Sequence, residues 1–371
     1  MKKLALISIT ALLLFACNKD DDTVNPPVDE NWACGQPTAY NLQVPANFEA
    51  LIPAMNIPAD NPLTVEGIEL GRMLFYDELL SGDGSMSCAS CHAAAFAFTD
   101  NGLQFSTGID NIEGDRNAMP VFNLGWAMGG FFWDGRAATM EDQAFGPVVN
   151  PIELHETWPN VEAKLQADAN YPELFCKVFG DTLIDSNRVV MAIAQFERTM
   201  ISGNSKFDKF QRTIMGLSNE GVNLTPLEAE GFNVFMDENR GDCFHCHGDG
   251  VNPLWTDNIY HNNGLDATFT DLGLGAINGN PNDNGLFKTP SLRNLAYSAP
   301  FMHDSRFATI EDVIEHYSTG LVWSSTIDPL MKNVDYGGAQ MTPADKQALK
   351  AFLLTLSDES FITNPDFHDP N

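Results

Sequence analysis

Basic residues are scarce in this chain of 371 residues. Twenty lysines and arginines stand against 50 aspartates and glutamates, a formal charge of −30. A surface of that sign repels phosphate, which argues against nucleic acid and anionic lipid surfaces as partners. It suits a basic protein partner, and it equally serves solubility. Long apolar runs are also missing. The one conspicuous run, LALISITALLLFA near the N-terminus, is too short for a comfortable membrane span. Strand signals are few. A hydrophobic content of 44% is ample for a core and argues against global disorder. The length suits two domains.

Lys2 and Lys3 precede the apolar run, which stops at Cys17, the layout of a signal peptide. LFAC resembles a bacterial lipobox, in which Cys17 becomes the lipidated N-terminus. The following NKDDD resembles the lysine-plus-acidic export signal of surface lipoproteins. The expectation is a leader over 1–16 and a lipidated N-terminus with a polar, proline-bearing tether over 17–44. The lipid would then be the only membrane contact. The chain would sit on the periplasmic side of the outer membrane, or on the cell surface, of a Gram-negative bacterium.

Four of the seven cysteines fall into two C-x-x-C-H runs: Cys88, Cys91 and His92 in CASCHAAAFAFTD, and Cys243, Cys246 and His247 in CFHCH. Composition alone predicts far fewer than one such run. The spacing lets two thiols add across the vinyl groups of haem while the adjacent histidine reaches the iron. Zinc would need a fourth ligand at each run, and the two pairs lie far apart in the chain. Two covalent haems c follow, with His92 and His247 as proximal ligands. Cys34 and Cys176 are left over. They can pair in an oxidising compartment or remain buried thiols, and spacing does not decide.

The motifs expose an internal repeat. ELGRMLF, with Gly71 and Phe75, precedes the first, and EGFNVF, with Gly231 and Phe235, precedes the second. Each reads as a helix leading into a haem loop. The second has Thr225 as N-cap, Pro226 at the first helical position and Glu228 closing a capping box. A last helix starts likewise in TPADKQALKAFLLTL, with Leu349, Phe352, Leu353 and Leu356 on one face. The fold class is mainly α: two cytochrome c-like haem domains with long loops, 45–204 and 205–360, and a tail over 361–371.

A c-type haem with two protein ligands moves electrons, and one with an open position can act on peroxide. After His92 no histidine occurs until His155, and Met119 and Met128 are the soft alternatives. The simplest reading leaves the first haem open. For the second, Thr309 caps a helix whose Ile310, Val313, Ile314 and Tyr317 form one buried stripe. Spacing leaves Tyr317 open as a core tyrosine or a ligand, with Met302, His303 and His316 as competitors.

Two longer runs, RNAMPVFNLGWAMGGFFWDGRAATMEDQAFGPVVNPIEL and TPSLRNLAYSAPFMHDSRFATIEDVIEHY, together with both haem motifs, resemble the bacterial di-haem cytochrome c peroxidase and MauG family over residues 45–358. The resemblance implies a peroxide-reacting first haem and an electron-transfer second haem. It places the second iron's sixth ligand fourteen residues after the histidine of the FMHD motif, which from His303 is Tyr317. Tyrosine there marks MauG-like members, methionine the typical peroxidases. A phenolate stabilises oxidised iron, so such a haem should have a low potential. The resemblance further implies that Trp133 relays electrons between the haems. Gln143 and Glu153 would line the distal pocket, Glu153 moving the peroxide proton from a partly desolvated site. A calcium would be held by Asn117 and the carbonyls of Ser298 and Pro300. The chain departs from many relatives in lacking a loop histidine that blocks the first iron until the second haem is reduced.

The implied function is reduction of hydrogen peroxide to water, with electrons from a small redox protein such as a cytochrome c or cupredoxin. The alternative is a MauG-like oxidase whose high-valent haems oxidise aromatic residues of a partner protein. A non-catalytic electron carrier is disfavoured by Glu153 and the open first haem. Homodimerisation is left open.

Overall fold

Threonine and serine caps start most of the long helices, because a hydroxyl can accept from an otherwise unpaired N–H of the first turn. The computed structural model describes residues 34–370. The expected leader, the lipidation site Cys17 and most of the expected tether lie outside the described residues. In chain order the helices are α1 (Ala46–Leu51), α2 (Val65–Tyr76), α3 (Cys88–Cys91), α4 (Met140–Val149), α5 (Trp158–Ala167), α6 (Tyr171–Phe179), α7 (Ser186–Thr199), α8 (Lys206–Ile214), α9 (Pro226–Met236), α10 (Phe244–His247), α11 (Leu274–Asn278), α12 (Ile310–Thr319), α13 (Pro343–Leu354) and α14 (Glu359–Ile362). The strands β1 (Tyr260–His261) and β2 (Phe287–Lys288) pair antiparallel, with Tyr260 opposite Lys288. No helix among the described residues is long and apolar enough to cross a membrane.

Thr225 caps α9 with Glu228 closing the box, and Thr342 caps α13 with Asp345 doing the same. Asp142 and Asp312 play that part for α4 and α12, behind Thr139 and Thr309. The expected apolar face of α13 is buried: Leu349, Phe352 and Leu353, with Leu356 just beyond.

Two helix crossings organise the molecule. α2 crosses α7 at Gly71, where a Cβ would fall 1.9 Å from the Ala192 carbonyl oxygen and crowd Phe196. α9 crosses α13 at Gly231, where a Cβ would fall 1.9 Å from the Ala348 oxygen and crowd Phe352. Each glycine lets two helix backbones touch. Around the first crossing lies a core that includes Leu70, Leu74, Phe75, Phe98, Val189, Ile193 and Phe196. Around the second lies one of Phe207, Val234, Phe235, Trp255, Ile314, Leu349 and Phe352.

The described chain from Cys34 onward forms one compact unit. The segment after residue 360 is no free tail: Phe361 and Phe367 are buried in the first core, Phe361 against Phe98 and Phe122. The C-terminus thus closes the N-terminal half, an apolar gain that a residue count could not show. Cys34 and Cys176 form a disulfide with Cα atoms 5.1 Å apart.

Candidate haem sites

In the second half, α10 presents Cys243, Cys246 and His247 to a cavity walled by apolar side chains such as Phe235, Leu292, Ile314, Leu349 and Leu353. His247 Nδ1 lies 3.3 Å from the Trp255 carbonyl. An N–H donated there leaves the Nε2 lone pair for a metal. Burial pushes His247 down to about 4, so the ring is neutral near pH 7. Tyr317, from α12, lines the same cavity. Burial pushes its phenol up to about 12, opposed by a hydrogen bond from Asn263, and the two motif thiols lie close enough to act on it electrostatically. Asn263 Nδ2 donates to Tyr317 Oη at 3.1 Å and also reaches Met302 Sδ at 3.6 Å.

Of the competing ligands, Tyr317, Met302 and His303 all line the cavity and His316 does not. His316 turns its Nε2 to the Asn263 carbonyl, 3.1 Å away, and does not line the cavity. His303 lies flat against Phe287, ring centroids 3.7 Å apart. Met302 stays at the cavity wall beside Tyr317. A thiol pair, an oriented imidazole, a phenol and apolar walls together fit a covalently attached macrocycle.

In the first half, Ser87 and Ser90 form a capping box that opens α3, which carries Cys88 and Cys91. His92 follows as C-cap, its Nδ1 2.8 Å from the Phe98 carbonyl. The chain returns that carbonyl through left-handed Ala97 and Phe98, φ 54° and 59°, both fully buried. Burial lowers the His92 pKa, opposed by the Phe98 hydrogen bond. Burial also raises Glu153 above the usual carboxylate range, against a hydrogen bond from Asn150 and the charge of Arg136. Asn150 Nδ2 donates to it at 2.6 Å. Glu153 acts electrostatically on both Cys88 and Cys91, which sets it beside this motif. The Glu153 carbonyl accepts from Ile109, and a Cβ on Gly108 would fall 2.5 Å from it. Gly108 therefore allows the close approach that seats the Glu153 loop.

Gln143 is half-buried on α4. Counted from the threonine caps, it stands where α12 has Val313, a residue lining the second cavity. The His155 ring, two residues past Glu153, pairs with Asp110. Met128 is 65% exposed.

Trp133 joins the halves. Its indole N–H donates to the Asn117 carbonyl at 2.9 Å, and its own carbonyl accepts from Lys288 at 2.8 Å. It is buried and lines the same cavity as His247 and Tyr317. The Asn117 N–H donates to the His303 carbonyl at 2.7 Å, and its amide nitrogen lies 3.2 Å from the Pro300 carbonyl and 2.8 Å from Ser305 Oγ. Ser298 lines the same cavity. Of the three expected calcium residues, Asn117 and Pro300 are in contact, through the Asn117 amide nitrogen and not its oxygen.

Three residues escaped the sequence reading. Asn263 holds Tyr317. Lys288 buries its ammonium against the Met128 and Gly130 carbonyls, and burial pulls it down to about 8. Glu197, in the first core beside Cys88, is pushed up to about 8 by burial, and its Oε2 has no hydrogen-bond partner. None has a local motif. Glu197 could have been found by the repeat, since it stands on α7 where α13 has the cavity-lining Leu353.

The family model for di-haem cytochrome c peroxidase matches residues 65–214. The chain is 31% identical to the methylamine utilization protein MauG of Methylophilus methylotrophus, over 86% of this chain and 91% of that one. It is 33% identical to the cytochrome c551 peroxidase of Nitrosomonas europaea, over 86% of each chain. A solved structure of a MauG-like protein associated with microbial copper homeostasis superposes with a TM-score of 0.77 at 34% identity, covering 90% of this chain and 99% of that one. With both C-x-x-C-H motifs and relatives of both kinds along most of its length, the chain belongs to the di-haem cytochrome c peroxidase and MauG family.

Proposed function

We propose that the chain is a di-haem c-type peroxidase that reduces hydrogen peroxide to water at the first haem, with electrons supplied through the second from a small redox protein. The observation that carries this is the asymmetry of the two sites: a desolvated carboxylate, Glu153, beside the first motif and a phenol, Tyr317, beside the second. Cys88, Cys91 and His92 would hold the first haem; Cys243, Cys246, His247 and Tyr317 the second. When bound, the haems supply the redox chemistry, H2O2 + 2 e− + 2 H+ giving 2 H2O. Glu153 accepts a proton from the attacking peroxide and returns it to the departing oxygen, which its raised pKa suits. Asn150 aims that carboxylate, and Gln143 offers an amide from the neighbouring helix. Trp133, fixed through Asn117, provides the aromatic step between the halves. A calcium at Asn117, Ser298 and Pro300 would stiffen the same junction, and a lipid on Cys17 would tether the exported chain.

Tyr317 favours a second reading, in which the electrons come from aromatic side chains of a partner protein, the MauG-like role. An anionic oxygen ligand lowers the potential of the second site, which suits storage of an oxidising equivalent there.

Peroxide added to the fully oxidised holoprotein tests both. Reaction without prior reduction is expected, and a long-lived protein holding both oxidising equivalents supports the partner-oxidising role. A strict need to reduce one haem first overturns the open first site. Tyr317→Phe should alter only the second haem's spectrum; an unchanged spectrum returns Tyr317 to the core.

A further inference from the structure

Glu197 is a carboxyl placed where the other half of the molecule has a leucine. Gly71 meets Ala192 and Phe196 on α7, and Gly231 meets Ala348 and Phe352 on α13. The next residues, Glu197 and Leu353, therefore occupy the same place on their helices. Leu353 lines the cavity that holds Cys243 and His247. Glu197 is 4% exposed, and its Oε2 has no hydrogen-bond partner. It is the strongest charged influence on Cys88, ahead of Glu153. The next residue, Arg198, turns its Nη2 to Glu141 on α4, at 2.8 and 3.1 Å from the two carboxylate oxygens, and leaves its own Nε and Nη1 unpartnered. Arg198 and Glu141 are the other charges that bear on Glu197, the first favouring its ionised form and the second opposing it. Burial outweighs both and pushes Glu197 up to about 8. A buried carboxyl without a partner is costly, and packing alone would be served by the leucine of α13.

We propose that Glu197 is the proton-holding residue of the first haem, binding a proton when an electron arrives there and giving it up when the electron leaves. Haem on Cys88, Cys91 and His92 is required for this; peroxide activity is not. An electron added to a buried site raises the proton affinity of a nearby carboxylate, because a low dielectric leaves the two charges poorly screened. Glu197 then forms an O–H bond with a proton taken from water, and the net charge of the first site is unchanged. Cys88 does not compete for that proton, since a thiol added to a haem vinyl group has none left to exchange. On the proposed function, Glu197 holds inside the first half one of the two protons that each peroxide consumes.

Potentiometric titration of the full-length holoprotein over a range of pH, followed separately in the spectrum of each haem, tests this. Between the pKa of Glu197 in the oxidised and in the reduced protein, the first haem's affinity for an electron should fall about tenfold per pH unit, or about 59 mV. Glu197→Gln should flatten that slope. Glu197→Leu, which reproduces the packing of the other half, should flatten it equally. Glu197→Asp should restore a slope. The slope should survive Glu153→Gln, which separates the two carboxyls. The second haem's potential should be unmoved by the Glu197 substitutions. Infrared difference spectra should show the carbonyl stretch of a protonated carboxylic acid growing on reduction, and the band should vanish in Glu197→Gln. An equal slope in wild type, Glu197→Gln and Glu197→Leu, or a carboxylic acid band that survives Glu197→Gln, would overturn this role and leave the peroxidase reading intact. A slope lost in Glu153→Gln and kept in Glu197→Gln would overturn it in favour of Glu153. A holoprotein that titrates as expected but consumes no peroxide would overturn the peroxidase reading alone.

Discussion

Gly71 and Gly231 mark the same joint in the two halves of the molecule, yet what surrounds each joint differs where chemistry is expected. In both halves a glycine lets one helix touch the backbone of a later helix. In both, a turn with a residue at positive φ, Phe132 or Met302, precedes an Asp-x-Arg segment and a threonine-capped helix. Eight residues past the caps the halves part. α4 has Pro147, and α12 has Tyr317. Proline cannot reach a metal, so the first half offers no ligand from that helix position. The carbonyls of Gly146, Pro147 and Val148 instead accept from Asn150, Leu154 and Glu156, and this fold-back delivers Glu153. One half therefore brings a phenol from a helix, the other a carboxylate from a loop. On the proposed function, a shared scaffold leaves the choice between electron transfer and peroxide chemistry to single positions.

The largest test of that contrast is Glu153→Gln. Peroxide reaction should slow about 10²–10⁴-fold with both haems retained, because a positioned proton-transfer group is lost. Stopped-flow spectra check it, and an unchanged rate would make the two halves chemically alike. The pH profile sharpens it. In the proposed role Glu153 works as the carboxylate, so the wild-type rate should fall as pH drops through its raised pKa, with a midpoint above the ordinary carboxylate range. Asn150→Ala removes a donor to the ionised form and should move that midpoint further up.

A stability contrast comes next. Asn123 and Asn294 both adopt positive φ and both hydrogen-bond Ser202, but the residue before each is Phe122 in one half and Arg293 in the other. Arg293 is fully buried, bidentate to Asp208 at 2.6 and 2.9 Å. Burial pushes Asp208 up, but the Arg293 charge and hydrogen bonds more than offset this and hold it below its usual value. Arg293→Met strands that carboxylate and should cost about 3–5 kcal/mol in denaturant unfolding near pH 7. Phe122→Leu, a milder change in apolar packing, should cost less than about 1.5 kcal/mol. Asp208, with a depressed folded pKa, contributes stability above its unfolded pKa and loses it as pH falls through the folded one. In Arg293→Met the stranded carboxyl takes up a proton instead, so the deficit should shrink as pH falls toward the ordinary carboxylate value. A deficit constant with pH would show that packing, not the charge, was lost.

The smallest effect probes the equivalence itself. Gly71→Ala and Gly231→Ala should each destabilise the fold by about 1–3 kcal/mol through overpacking, and by similar amounts, since both Cβ atoms meet a backbone carbonyl at 1.9 Å. Unequal losses, read by thermal unfolding of the holoprotein, would show that one crossing relaxes where the other cannot.

The sequence alone determined what is written in a few neighbouring residues. Two C-x-x-C-H runs, the threonine caps and the α12 stripe are local patterns; the caps appear where they were expected, and of the stripe Ile310 and Ile314 are buried while Val313 and Tyr317 are half-buried at the cavity. The glycine–phenylalanine echo announced the duplication, because a helix crossing needs its small residue at a fixed place. Tertiary structure decided what depends on distant segments meeting. Spacing left Tyr317, Met302, His303 and His316 in competition; in the structure the Asn263 carbonyl takes His316, while Asn263 donates to the phenol at a cavity that Met302 and His303 line as well. It paired Cys34 with Cys176. It drew Phe361 and Phe367 into the N-terminal core, where a tail had been expected. Each of these turns on which apolar surfaces and polar groups can be satisfied at the same time, and only the closed chain sets that.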